Sequence, residues 1–79
     1  MRKEMTLNEL SILKILSEQD KAFYKDIEPE MKFEAHDKYW TTFSTICSLI
    51  QAGVIVSDNK YPSTYSLTPY GKVKAKEVL

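Results

Sequence analysis

The stretch YSLTPYGK, residues 65–72, sets two patterns back to back. Tyr65 and Leu67 alternate with Ser66, as in a half-buried strand. Thr68 can cap a helix through its hydroxyl, and Pro69 then falls at the first helical position, where its missing N–H is no loss. The stretch is a strand that runs directly into a helix. Just upstream, SDNKYPS at 57–63 is turn chemistry and Val54-Ile55-Val56 is a β-branched run suited to a strand. Together these segments predict an antiparallel hairpin with a loop of roughly seven residues.

Gly53, ahead of the hairpin, is the expected left-handed stop of a long helix that starts after an Asp37 cap and runs to Ala52. At about 100° per residue, Tyr39, Phe43, Ile46 and Ile50 share a narrow arc with Leu49 beside it, while Lys38, Thr41, Ser44, Thr45 and Ser48 lie on the other side. This third helix is expected to be apolar within and hydroxyl-rich without. At the amino end, Thr6-Leu-Asn-Glu9 fits a capping box and opens a first helix reaching about Ser17. Its apolar residues Leu7, Leu10, Ile12, Leu13, Ile15 and Leu16 cover a broad arc, so the helix is central to the core or shares surface with another chain. After a polar break, Ala22-Phe23 reads as a very short strand and Tyr24 to Met31 as a short second helix, with Pro29 tolerated only in its first turn. The last helix spans Pro69 to Leu79, with Val73 inward. The expected core is Phe43, Ile46, Ile50, Leu13, Leu16 and Leu67.

A chain of 79 residues is one domain's worth, here read as a single domain over 1–79. A hydrophobic content of 43% supports a compact core rather than disorder. No long apolar run is present and the first residues carry charges, so the expectation is a cytoplasmic protein without a membrane segment. Cys47, the single cysteine, excludes an internal disulfide and a cysteine zinc cluster. Net charge is zero, which counts against indiscriminate binding of nucleic acid. Residues 1–36 nevertheless hold six Lys/Arg against eight Asp/Glu, and residues 37–79 hold five against three.

Helix, tiny strand, short helix, long helix, hairpin, helix is the element order of a winged helix-turn-helix. LIQAGVIVSDNKYPSTYSLTPYGK, residues 49–72, resembles the corresponding segment of bacterial and archaeal winged-helix regulators of the MarR, PadR and HxlR type. Leu49, Gly53, Val54 and Ile55 fill that pattern at the end of the recognition helix, and Tyr65, Leu67, Thr68 and Gly71 fill it at the exit from the wing. The resemblance implies a mainly α fold with a small β-hairpin, and a DNA-binding transcriptional regulator acting as a homodimer on double-stranded DNA. Helix 3 would enter the major groove with Lys38, Thr41, Thr42, Ser44, Thr45 and Ser48, since hydroxyls can meet phosphates and a threonine methyl can meet thymine. Asn59, Lys60 and Tyr61 of the wing would follow the backbone or the neighbouring minor groove. Helix 1 and the terminal helix are the expected dimer surfaces. The wing carries one lysine, and this favours the alternative of a winged helix that binds a protein partner.

Catalytic chemistry finds little support. His36 and Cys47 are the only residues of their types and stand about three helical turns apart, beyond the ~3 Å contact of a nucleophile and its base. Asp26, Glu28, Glu30 and Glu34 read as a solvated acidic face, with no phosphate-cradling glycine loop beside them. No enzyme activity, metal or cofactor is expected. Tyr39 and Trp40 are read as packing residues first and base-stacking residues second, with Trp40 the more exposed.

Overall fold

The structure, a computed structural model, describes residues 5–32 and 38–79. The Asp37 cap, His36 and Glu34 lie outside the described residues, as does the side chain of Lys38.

Helix α1, Leu7–Glu18, begins with the reciprocal cap that the sequence announces: the Glu9 N–H donates to Thr6 Oγ1 at 3.1 Å and the Thr6 N–H to Glu9 Oε1 at 2.8 Å. Its Ile12, Leu13 and Leu16 are buried at the centre of the core. Strand β1, Ala22–Phe23, leads into α2, Tyr24–Ile27, which gives way to a 3₁₀ turn at Glu28–Glu30. The expected helix to Met31 is therefore cut short. Pro29 has no N–H for the helical ladder, and its ring crowds the preceding turn. Beyond it the side-chain amide of Asn8 donates to the Lys32 carbonyl at 2.7 Å and accepts from the Lys32 N–H at 2.8 Å, pinning the chain to α1.

Helix α3, Lys38–Gln51, ends where Gly53 turns left-handed, at φ 77°. The Gly53 N–H donates to the Ile50 carbonyl and the Val54 N–H to the Leu49 carbonyl, both at 3.0 Å, the paired bonds of a Schellman stop. Strands β2, Ile55–Ser57, and β3, Thr64–Leu67, form the wing. β3 lies between β2 and β1 in a three-stranded antiparallel sheet, with Ile55 opposite Leu67 and Ala22 opposite Tyr65. Helix α4, Pro69–Val78, follows at once.

The junction of wing and α4 explains YSLTPYGK. Thr68 Oγ1 accepts from the Gly71 N–H at 2.9 Å, capping α4, and is placed to donate to the Gly53 carbonyl at 2.6 Å and the Val54 carbonyl at 3.1 Å. The Thr68 N–H also donates to the Val54 carbonyl, at 3.0 Å. Gly71 packs against that same carbonyl so closely that a Cβ would collide with it. Glycine is required at 53 by dihedral angle and at 71 by contact.

Two packing expectations are corrected. Helix α3 buries Thr42, Ile46 and Leu49, whereas Phe43 and Ile50 are 41% and 39% exposed. The buried stripe is rotated by roughly 50° from the most apolar arc, because α3 faces α1, β2 and the 3₁₀ turn along its Thr42 side. A small threonine fits against those neighbours, and its hydroxyl meets the Tyr24 phenol. On α4 the small residues Gly71 and Ala75 are buried, one helical turn apart, and Val73 is exposed. Leu67 and Tyr65 are half-buried and pack on the core, fastening the wing to it.

Candidate nucleic-acid interface

Helix α3 and the wing border one cleft. Tyr39 and Phe43 line it from the helix, Tyr61, Pro62, Ser63 and Tyr65 from the wing, and Phe23, Tyr24 and Lys25 from the β1–α2 junction. The rings form a train. Tyr24 and Tyr39 have centroids 5.7 Å apart, Tyr39 stacks on Phe43 at 5.8 Å with planes 10° apart, and Trp40 tilts against Phe43 at 6.3 Å. The Tyr24 phenol donates to Glu28 Oε2 at 3.0 Å and approaches the Tyr39 carbonyl at 3.4 Å, anchoring the first turn of α3 to α2. Its pKa is pushed up to about 12, first by burial and then by the hydrogen bond and negative charge of Glu28, so the phenol remains a donor at neutral pH. Burial also raises Tyr65.

The hydroxyl residues of α3 are not equivalent. Thr42 is fully buried, so it leaves the set of contact candidates. Ser48 is half-buried and donates to Glu9 Oε2 at 3.3 Å, tying α3 to the cap of α1. Ser44 and Thr45 both donate back to the Thr41 carbonyl, at 3.2 and 2.7 Å. Their oxygens are thereby left as acceptors, with the Thr45 methyl beside them. Trp40 is 60% exposed, and Tyr39 equally so.

At the wing tip the organising residue is one the sequence reading passed over. Asp58 Oδ1 accepts from the N–H groups of Lys60 and Thr64, each at 3.1 Å, and Oδ2 from the Thr64 hydroxyl at 2.9 Å. These donors, that of Lys60 foremost, hold its carboxyl below the usual range. An Asp two residues before a backbone donor in a turn is an Asx signal, so the information was present. Asn59 takes a left-handed φ of 59°, which asparagine tolerates, and its N–H donates to Ser57 Oγ at 3.1 Å. Lys60 is exposed and Tyr61 is 100% exposed.

The fold is shared with known proteins. AdcR, the adhesin competence repressor of Streptococcus pyogenes, superimposes with a TM-score of 0.75 at 19% identity, over 94% of this chain and 55% of that one. RosR of H. salinarum gives 0.74 at 18% identity, over 95% and 71%. ZitR of Lactococcus lactis gives 0.74 at 22%, over 95% and 51%. The fold is a winged helix. The chain spans about half the length of the AdcR and ZitR chains it matches. No protein-family model and no curated protein matches the sequence. Among the described residues no group of three or more His, Cys, Asp or Glu is placed to hold a metal, and no helix is long and apolar enough to cross a membrane.

Proposed function

We propose that this winged helix binds double-stranded DNA as a transcriptional regulator, with α3 in the major groove and the wing tip on the adjacent backbone. The observation that carries this reading is the shared cleft: the Tyr39 and Phe43 side of α3 and Tyr61, Pro62 and Ser63 of the wing border one face, as a reading helix and a flanking arm must do to contact one duplex. AdcR, which shares the fold, is a repressor, in agreement with this reading. Ser44 and Thr45, whose hydrogens are spent on the Thr41 carbonyl, offer acceptors suited to the amino groups of adenine or cytosine rather than donors for phosphate. Lys60 supplies a phosphate contact.

Few cations stand on this face, so a pair of protomers on a palindromic site fits better than one. Leu7, Tyr70, Val73 and Leu79 are exposed on or next to α1 and α4, giving apolar surface for a homodimer away from the cleft. Zero net charge and the exposed rings of α3 favour a second reading, a winged helix that binds another protein.

Selection of duplexes from a random pool, followed by titration of an enriched and a scrambled duplex at several salt concentrations, separates the two. On the DNA reading, the enriched duplex binds more tightly, Thr45→Ala changes the preferred sequence, and Lys60→Ala weakens all duplexes alike while lowering the salt slope by about one. Equal, weak binding of both duplexes rejects it.

A further inference from the structure

The cleft between α3 and the wing has a chemistry that groove recognition leaves unused. It encloses about 640 Å³, within the range of ligand sites, and six of its nine lining residues are aromatic. Lys25 is the only charged residue among those nine, with its ammonium 5.9 Å from the centroid of the Phe23 ring. Asp58, the carboxylate of the wing, stands outside the lining and is taken up by three donors. The site thus offers π-faces, phenol hydroxyls and a positive charge. A basic peptide is opposed by Lys25. A planar group that carries an anion satisfies every part: its ring stacks, its edge meets the phenols, and its phosphate meets Lys25.

We propose that this cleft holds an unpaired nucleobase of the bound DNA, stacked among Tyr39, Phe43 and Tyr61, so that the protein prefers sites with a locally unpaired step to fully paired ones. The inference rests on the DNA-binding reading, because it is α3 in the groove that brings a base to the cleft. A paired base has both faces covered by its neighbours in the duplex and cannot enter. Extrusion is easiest where pairing is already absent. Stacking on aromatic side chains is tolerant of base identity, so the cleft adds preference for a DNA state rather than for a sequence.

The test uses the full chain and three fluorescently labelled probes: a perfect duplex, the same duplex with a two-thymidine bulge, and single-stranded oligothymidine, each titrated by anisotropy. The bulged duplex is expected to bind roughly tenfold more tightly than the perfect one, and the oligothymidine to bind measurably. Tyr61→Ala and Tyr39→Ala are expected each to remove most of that margin, while Asp20→Asn, at an exposed turn outside the cleft, keeps it. Tyr61 is wholly exposed, so its variant tests the cleft without disturbing the fold, which circular dichroism verifies. Equal affinity for bulged and perfect duplexes overturns the inference and leaves the DNA-binding reading standing. A margin that survives both tyrosine variants overturns it too, placing the base elsewhere. Failure of every probe removes both readings and assigns the aromatic face to a protein partner.

Discussion

The root and the tip of the wing are stabilised in different ways. At the root, Gly53, Val54, Leu67, Thr68 and Gly71 join three elements: the end of α3, the sheet and the start of α4. The Val54 carbonyl alone meets the Thr68 N–H, the Thr68 hydroxyl and the face of Gly71. At the tip, residues 57–64 are held by one backbone bond from the Asp58 N–H to the Thr64 carbonyl, a single exposed carboxylate and a few hydroxyls, all bonding within the loop. Damage at the root should therefore reach the whole domain, and damage at the tip should remain local.

The largest expected effect comes from Gly71→Ala. Its Cβ meets backbone that cannot yield without moving β2 from α4, and overpacking of this kind costs about 3 kcal/mol. In a domain of this size that is a fall in melting temperature of roughly 12–24 °C. Gly53→Ala is expected to cost less, about 1–2 kcal/mol, since only the left-handed backbone opposes it and the space around it is open. Thermal melts showing the reverse order would break the distinction between contact and dihedral angle.

Thr68→Val comes next. It keeps the shape while leaving the Gly71 N–H uncapped, and is expected to cost about 1–2 kcal/mol in denaturant melts. Amide exchange at Lys60 should be unchanged in this variant. If it accelerates, root and tip are coupled.

Asp58→Ala should be nearly silent in global stability, yet accelerate amide exchange at Lys60 and Thr64. The wild type should reproduce this on acidification. The folded-state pKa of Asp58 is depressed, so its ordering effect is fully present above the ordinary aspartate value near ~4 and is lost as pH falls through the lower folded value. Exchange protection that outlasts full protonation would show the loop is held by something other than the carboxylate.

The same contrast explains what could be read from residue order. The root was legible because its requirements are local and residue-specific: a Thr three residues before Gly71, a glycine after Leu49, β-branched residues between. Element order and the two-residue β1 were legible for the same reason. The rotation of α3 was not, because which arc of a helix is buried depends on the neighbours docked against it, and Thr42 is buried where its hydroxyl meets the Tyr24 phenol. Nor did any local signal mark the Asn8 tie to Lys32, a pairing across 24 positions. Of the candidate contact residues described, Thr42 alone is buried, while the tip triad and Thr41, Ser44, Thr45 and Ser48 retain accessible surface. The aromatic train was missed as a unit because Tyr24 joins it from α2, fifteen positions before Tyr39 on α3.

The self-contained bonding of the wing tip makes it an exchangeable cassette. Its side-chain hydrogen bonds close within the loop and not on the core, so insertions, deletions or wholesale loop grafts between Ser57 and Thr64 can be sampled while β3 stays in register with Ile55 and Ala22. Evolution, or a protein engineer, can thus vary what the tip touches without renegotiating the fold that presents it.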